Sequence, residues 1–144
     1  MIRVSRLADY ASAVMASLAR HPGEVLPAAA VAEETRLEVP TASKLLKRLA
    51  RAGLVESFRG AAGGYRLARA ATDISLAEIV EALDGPIGLT ACRIGRTGCE
   101  RQSYCTVSHG WQGVGAAIDS ALRAVSLADM ARRQPARAHG ARMA

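Results

Sequence analysis

"PTASKLLKRLARAGLVESFRGAAGGYRLAR", residues 40–69, contains two successive patterns that together decide the fold. The first half predicts a helix that begins at Pro40 or Thr41 and ends before Gly53, because proline is tolerated in a first helical turn and glycine commonly follows a last one. The second half predicts two short strands joined by a glycine-containing turn, since its valine and aromatic residues favour pleated structure. The stretch therefore predicts a helix followed directly by a β-hairpin.

Two further helices are predicted before this stretch. Helix one spans about residues 6–20 after the N-cap Ser5, and its apolar residues recur at helical spacing: Leu7, Ala11, Val14, Met15 and Leu18. A short second helix begins with Pro27 as its first residue and ends near Thr35. Two short helices joined by a tight turn form a helix-turn-helix. With the hairpin, they predict a mainly α fold with a small β-hairpin wing, a winged helix-turn-helix.

The third helix has a basic face. Four cations lie at i, i+3, i+4 and i+7: Lys44, Lys47, Arg48 and Arg51. Between residues 44 and 69 there are seven basic residues and one acid, Glu56. A basic stripe alone is typical of a solvated helix face. Combined with a wing that carries Arg59 at its tip, the stripe favours a surface that binds DNA.

Bulk composition agrees with a polyanionic partner. The chain has 144 residues, a net charge of +6 and an isoelectric point near 9.9, which favours nucleic acid. The length is typical of one domain. No apolar run is long enough to cross a membrane, and the N-terminus has charges where a signal peptide needs apolar residues. We therefore expect a cytoplasmic protein without a membrane partner.

The second half of the chain predicts two more helices and a tail. Ser75 and Glu78 form a capping-box pattern for a helix that Asp84 and Gly85 end. A longer helix from Gly110 to Val125 places its apolar residues on one side, either for dimerisation or for packing within the subunit: Trp111, Val114, Ile118, Leu122 and Val125. Ser126 to Asp129 begins a short last helix. The predicted units are a winged helix-turn-helix (1–84), a cysteine-bearing loop (85–109), the dimerisation helix with the short terminal helix (110–131) and a disordered basic tail (132–144).

"CRIGRTGCERQSYC", residues 92–105, contains every cysteine of the chain: Cys92, Cys99 and Cys105. Three soft thiolates in a glycine-containing loop indicate a soft metal, either an iron–sulfur cluster or zinc. His109 completes a C-x6-C-x5-C-x3-H spacing for a zinc-stabilised Cys3His module that binds nucleic acid. A metal-free thiol switch is a further alternative. The loop has no Cys-x-x-Cys motif and no paired acid and base, so an enzyme is not expected.

Several segments resemble the iron–sulfur-linked winged-helix regulators, a family that includes IscR-like and NsrR-like repressors. They are RVSRLADYA, residues 40–69, ISLAEIVEALDGPI and the cysteine loop leading into Trp111, and the resemblance covers about residues 1–131 in unbroken order. The branch that regulates SUF-type iron–sulfur cluster assembly is the most similar. The resemblance implies a homodimer with a winged helix in each subunit, a long helix at the dimer interface, and a cluster that tunes DNA binding.

The resemblance also implies a ligand set. Cys92, Cys99 and Cys105 match the three cysteine ligands, although the first interval is one residue longer than in the assembly regulator, and a [2Fe–2S] cluster is favoured over [4Fe–4S]. The assembly regulator has a histidine ligand three positions after the last cysteine, where this chain has Ser108, one residue before His109. The nitric-oxide-sensing relatives use an aspartate of the first helix, which matches Asp9. We expect Asp9 as the fourth ligand, with His109 as the alternative.

The family reads its operator with the start of the third helix and with the wing. The matching positions are Pro40, Thr41, Ser43, Lys44, Arg59 and Gly60. Of these, Thr41 and Ser43 can hydrogen-bond base edges or phosphates, while Lys44 is expected mainly to contact phosphates, as are Lys47, Arg48 and Arg51. The function expected from the whole sequence is a transcriptional repressor that senses iron–sulfur status and controls iron–sulfur assembly genes. The alternatives are the zinc module and a nitric-oxide or redox-sensing repressor of the same family.

Overall fold

The computed structural model describes residues 2–90, 99–101 and 103–132. Cys92 and all of the predicted tail except Arg132 lie outside this range. Within it the fold class is confirmed, a helical chain with one two-stranded hairpin. In chain order the elements are α1 (Arg6–Ala19), α2 (Ala28–Thr35), α3 (Val39–Arg51), β1 (Val55–Phe58), β2 (Gly64–Leu67), a 3-10 turn (Ala71–Asp73), α4 (Leu76–Asp84), α5 (Ser108–Ala124) and α6 (Leu127–Ala131).

Side-chain caps account for where three of the helices begin. The Ser5 hydroxyl accepts a hydrogen bond from the Ala8 amide at the start of α1. Ser75 with Glu78 forms a complete capping box on α4, and Ser126 with Asp129 forms another on α6. Each cap satisfies backbone N–H groups that have no partner within the helix. The three predicted helix starts are confirmed, whereas Pro27 precedes α2 as its N-cap and is not its first residue.

The core lies between α1, α3, α4 and α6. Its largest fully buried side chains include Met15, Leu45, Leu49, Ile79 and Leu127. The prediction that Leu7 belongs to the buried face of α1 is wrong, because Leu7 is 37% exposed while Ala8 is fully buried. The other four residues of the predicted apolar stripe, Ala11, Val14, Met15 and Leu18, are buried, so the buried face begins at Ala8 in place of Leu7 and is otherwise as predicted.

The wing is a hairpin that is also attached to the chain before α2. β1 pairs with β2 in antiparallel register, with Val55 opposite Leu67. Leu26 and Tyr65 exchange two backbone hydrogen bonds of 2.9 and 2.8 Å. Gly64 lies directly against this bridge, and a Cβ there would overlap the Leu26 carbonyl. The position therefore requires glycine, and the wing is held at a defined place relative to the helices.

A polar cluster connects the end of α1 to α2. The fully buried Ser17 donates its hydroxyl hydrogen to Glu34 Oε2, Arg20 Nη2 lies 3.1 Å from the same oxygen, and His21 Nε2 lies 3.0 Å from Oε1. The Ser17 hydrogen bond, followed by the contacts with His21 and Arg20, lowers the pKa of Glu34 to about 2. This carboxylate therefore stabilises the packing of α2 on α1.

Replacing Glu34 with alanine is expected to lower the free energy of unfolding by about 1–2 kcal/mol at neutral pH, because the buried Ser17 hydroxyl loses its acceptor. A depressed folded-state pKa means that the stabilisation is complete above the ordinary carboxyl pKa of 4.5 and is lost as pH falls toward about 2. Urea unfolding from pH 7 to pH 3 tests this. The neighbouring exposed Glu33→Ala should behave as wild type, and equal stability of both variants would contradict the interpretation.

Candidate nucleic-acid surface and metal centre

The exposed side of α3 is a basic surface. Lys44, Lys47 and Arg51 are exposed, whereas Leu45, Leu46 and Leu49 on the opposite side are at most 1% exposed. A shallow groove runs along the exposed side and is lined by Pro40, Ser43, Lys44, Lys47, Arg48 and Arg51. The burial of the leucines fixes the rotation of α3 about its axis, so the cations face solvent together. The predicted two-faced character of this helix is confirmed.

The N-terminal turn of α3 presents short polar and apolar side chains. Pro40 is exposed, and Thr41 and Ser43 are half-buried. The N-terminus of a helix-turn-helix recognition helix is the part that reaches base edges in the major groove. Hydroxyl groups there can hydrogen-bond bases or phosphates. The arrangement suits sequence reading at the start of α3 and phosphate binding farther along it.

The tip of the wing consists of exposed residues between β1 and β2. Arg59 and Gly60 are both exposed, and Gly60 has a φ of 99°, which favours glycine. Arg66 lies over the Phe58 ring, 4.9 Å from its centroid, and pairs with Glu56 at 2.8 Å. The Arg66 charge is therefore paired within the wing, and Arg59 is the cation at its tip.

Arg48 differs from the other cations of α3. It is half-buried, and its Nη2 donates a 2.7 Å hydrogen bond to the Leu83 carbonyl at the end of α4. The helical spacing that predicted the basic stripe gives no sign of this contact, because the two residues are 35 positions apart. Arg48 still borders the basic groove.

The last helical turn of α4 has a second long-range partner. The Ser5 hydroxyl donates a 2.6 Å hydrogen bond to Asp84 Oδ1, so the residue that caps α1 also holds the end of α4. Sequence reasoning missed this contact as well, since serine was identified there only as a cap. Arg48 and Ser5 therefore attach α3 and α1 to the point from which the cysteine segment departs.

Helix α5 packs against the rest of the subunit along one edge. Gly115 is its one buried residue, while Trp111 and Val114 are 47% and 46% exposed. Ile118 and Leu122 line a groove of about 220 Å³ together with Ile2, Val4, Val80, Ile87 and Leu89. Arg123 attaches the helix to α4 through a 2.7 Å ion pair with Glu81. The helix starts at Ser108, two residues before the predicted start.

The two described cysteines have the chemistry of cluster ligands. Cys99 and Cys105 are half-buried free thiols in the irregular segment before α5, and Cys92 lies outside the described residues. Partly exposed thiols in a segment without regular structure can bind a soft metal, and thiolates are the usual ligands of iron–sulfur clusters. The donor set therefore fits an iron–sulfur cluster.

The candidates for the fourth ligand lie on two different helices. Asp9 is exposed on α1, and His109 is exposed in the first turn of α5. Ser108, which occupies the position of the histidine in the assembly regulators, donates a 3.3 Å hydrogen bond to the Cys105 carbonyl. This bond ties the last cysteine to the start of α5. Among residues 2–90, 99–101 and 103–132, no three metal-binding side chains form a group.

Similarity to known proteins covers nearly the whole chain. A model of the Rrf2 family, described as iron-dependent transcriptional regulators, matches residues 4–133. The HTH-type transcriptional regulator IscR of Xenorhabdus nematophila is 32% identical over 134 residues, which are 92% of this chain and 81% of the relative. The corresponding IscR of Photorhabdus laumondii is 31% identical over 134 residues, with the same coverage of both chains.

Solved structures give the same result. The structure of T. potens IscR is 32% identical, has a TM-score of 0.69, and matches 90% of this chain and 85% of its own. CymR, the global cysteine regulator of B. subtilis, is 27% identical with a TM-score of 0.71, over 91% of this chain and 97% of its own. No helix in the described part of the chain has both the length and the hydropathy needed to cross a bilayer. The resemblance found in the sequence is confirmed, and the chain belongs to the Rrf2 family of iron-dependent, DNA-binding transcriptional regulators.

Proposed function

We propose that this protein is a homodimeric repressor that binds operator DNA through α3 and the wing, senses iron–sulfur status, and controls genes for iron–sulfur cluster assembly. The observation that carries the proposal is the combination, in one chain, of a basic winged helix and a thiol-bearing segment that follows α4 directly. The IscR relatives match this chain over 81–85% of their own length. The zinc module has no comparable support.

The DNA-binding set divides into two groups. Pro40, Thr41, Ser43 and Lys44 lie at the start of α3, with Arg59 and Gly60 entering from the wing. Thr41 and Ser43 would hydrogen-bond bases or phosphates, and Lys44 would mainly bind phosphates. The exposed Lys47 and Arg51 lie farther along α3 and would bind phosphates. The exposure of Lys47 and Arg51, together with the position of Ser43 beside the same groove, supports this division.

Lys47→Gln is expected to weaken binding to every DNA sequence. It should also reduce the slope of log affinity against log salt concentration by about one, because one phosphate contact fewer releases fewer counterions. Ser43→Ala is expected to change the ranking of operator variants by about 1–3 kcal/mol at single base pairs while the salt slope stays constant. Fluorescence anisotropy on an operator panel at several salt concentrations measures both. Uniform loss on every operator for Ser43→Ala would refute its assignment to base reading.

The cluster set consists of Cys92, Cys99 and Cys105 with Asp9 as the fourth ligand, or His109 in its place. When bound, an iron–sulfur cluster would supply a redox-active centre whose lability depends on the non-cysteine ligand. The chain's own residues would hold the ligand-bearing segments in place. Ser108 holds the Cys105 backbone to α5, and Ser5 holds α1, which carries Asp9, to the end of α4. A [2Fe–2S] cluster is the type we favour.

The dimer is proposed from α5. Helix α5 has 17 residues, of which one is buried, and its large exposed apolar side chains favour a further packing partner. Trp111 and Val114 are exposed, and the same side of the helix continues through the half-buried Ile118 and Leu122, which line the groove beside Val80 and Ile87. A second copy of the same helix would cover this apolar strip. Two-fold symmetry would place the same strip on both subunits. The pair would then present two α3 helices to two half-sites of one operator.

The decisive experiment is anaerobic purification followed by analysis of iron and acid-labile sulfide and by measurement of operator affinity before and after removal of the metal with a chelator. We expect a coloured protein with both elements and an affinity that changes on stripping. A colourless protein with stoichiometric zinc would refute the cluster, and an unchanged affinity would refute its regulatory role.

A cluster-free signal is the second candidate, because Cys99 and Cys105 are free, half-buried thiols. In that case the free thiols Cys99 and Cys105 would respond to oxidation or to nitric oxide directly. The anaerobically purified protein distinguishes the two candidates. If the signal is cluster-free, operator binding responds to a thiol oxidant in protein that contains no iron.

A further inference from the structure

The C-terminal turn of α4 is the point at which the recognition helix meets the cysteine segment. Arg48 of α3 donates a 2.7 Å hydrogen bond to the carbonyl of Leu83, the penultimate residue of α4. Gly85, with a φ of 81°, ends the helix, and the chain continues into the segment that contains the three cysteines. The contact therefore joins the DNA-reading element to the base of the candidate sensing element.

This contact has a clear physical role. The last carbonyls of a helix have no partner within the helix and carry partial negative charge. The last turn of α4 contains no basic residue of its own, and the guanidinium of Arg48 brings a cation from α3 to one of its terminal carbonyls. The hydrogen bond is charge-assisted and half-buried, so a displacement of Leu83 that breaks it is costly.

The same turn is held from two other sides. Ser5 donates to Asp84 at 2.6 Å from the start of α1, four residues before Asp9. Arg123 of α5 pairs with Glu81 at 2.7 Å. Every described element that carries a candidate fourth ligand is thus attached to the last turn of α4, and Arg48 attaches the recognition helix to that turn.

We propose that Arg48 is a positioning residue that couples the cysteine segment to the recognition helix through the Leu83 carbonyl, in contrast to the exposed phosphate-binding cations Lys47 and Arg51. The coupling to cluster state rests on the proposed function. The link between α3 and the end of α4 does not rest on the proposed function, because it is the hydrogen bond from Arg48 to the Leu83 carbonyl. Arg48→Met removes the donor and keeps most of the side-chain stem, and Arg51→Met removes the same charge from the same helix as a control.

Hydrogen exchange tests the link without reference to any metal. Amide exchange of the peptide spanning residues 76–90 is measured by mass spectrometry in the full chain, with and without saturating operator duplex. Operator binding is expected to slow this exchange about threefold or more in wild type and in Arg51→Met, and to leave it unchanged in Arg48→Met. No change in wild type, or the wild-type change persisting in Arg48→Met, overturns the proposal. If Arg48→Met fails to fold, Arg48→Lys, which keeps the charge and lacks the guanidinium donor, is measured in its place against the same two outcomes.

Operator affinity of cluster-loaded and stripped protein tests the regulatory consequence. We expect the ratio of operator affinities, loaded to stripped, to be about 5–150 in wild type, the ordinary range of allosteric coupling. In Arg48→Met we expect this ratio to be near one while the variant still binds DNA. Arg51→Met should bind all DNA more weakly and keep the wild-type ratio. A wild-type ratio of one refutes the proposed function, whereas a wild-type ratio preserved in Arg48→Met refutes only the role of Arg48.

Discussion

Cys99→Ser and Cys105→Ser are each expected to remove the visible absorption of the anaerobic protein and to lower its bound iron by at least about tenfold. Loss of a group that merely supports a metal ligand already costs about 10–100-fold in affinity, and a thiolate ligand contributes directly. Serine keeps the size of the side chain and removes the soft donor. Ultraviolet–visible spectra and iron analysis of the purified variants measure the effect.

The fold should survive both substitutions. Each thiol is half-buried in the segment before α5 and lies outside the hydrophobic core, so the unfolding free energy of the metal-free variants is expected to differ from that of metal-free wild type by less than about 0.5 kcal/mol. Ser103→Ala, an exposed position in the same segment, is the matched control and should keep wild-type iron. Wild-type iron content in either cysteine variant would show that the residue is not a ligand.

Asp9→Ala and His109→Ala distinguish the two candidates for the fourth ligand in the same assay. Both side chains are exposed, so neither substitution is expected to disturb packing. Removing the true ligand should shift the visible spectrum and speed cluster loss in air, because the exposed non-cysteine ligand controls lability. If the spectrum changes only in His109→Ala, His109 replaces Asp9 in the proposed ligand set.

The helices were predictable because their ends are encoded locally. Ser5, Ser75 and Ser126 each cap a helix through hydrogen bonds to residues three positions later, and such short-range chemistry is visible in the sequence. The wing was predictable from its glycines and aromatic residues. Its attachment to Leu26 was not, because a backbone bridge between residues 39 positions apart leaves no side-chain pattern.

The residue types and spacing of the candidate site were predictable from the sequence, whereas its tertiary contacts were less so. The basic stripe and the cysteine spacing follow from residue type and periodicity. The contact of Arg48 with Leu83 depends on how α3 crosses α4, and the buried Ser17–Glu34 pair depends on how α2 packs on α1. Tertiary geometry of this kind assigns different roles to cations that look equivalent on one helix face.

Val114→Asp is expected to convert the dimer to a monomer and to weaken operator binding by at least about 100-fold. Val114 is 46% exposed in the subunit, so a carboxylate there has access to water in the isolated chain and should not harm its fold. In a two-fold dimer the substitution would place two charges in one apolar interface, where burial of unpaired carboxylates is strongly unfavourable. The loss of DNA affinity follows because two separate monomers no longer benefit from the effective concentration that the dimer provides.

Ala116→Asp provides the matched control for this prediction. It adds the same charge to the same helix two residues away, which is about 200° around the helix axis from Val114, and Ala116 is exposed. We expect Ala116→Asp to remain a dimer with wild-type operator affinity, measured by analytical ultracentrifugation and anisotropy. Both variants lower the net charge by one, and Ala116→Asp costs the helix more intrinsic propensity than Val114→Asp does. A dimer that is lost only in Val114→Asp must therefore be lost because of the face on which the charge lies. A dimeric Val114→Asp protein would move the interface away from the apolar strip of α5.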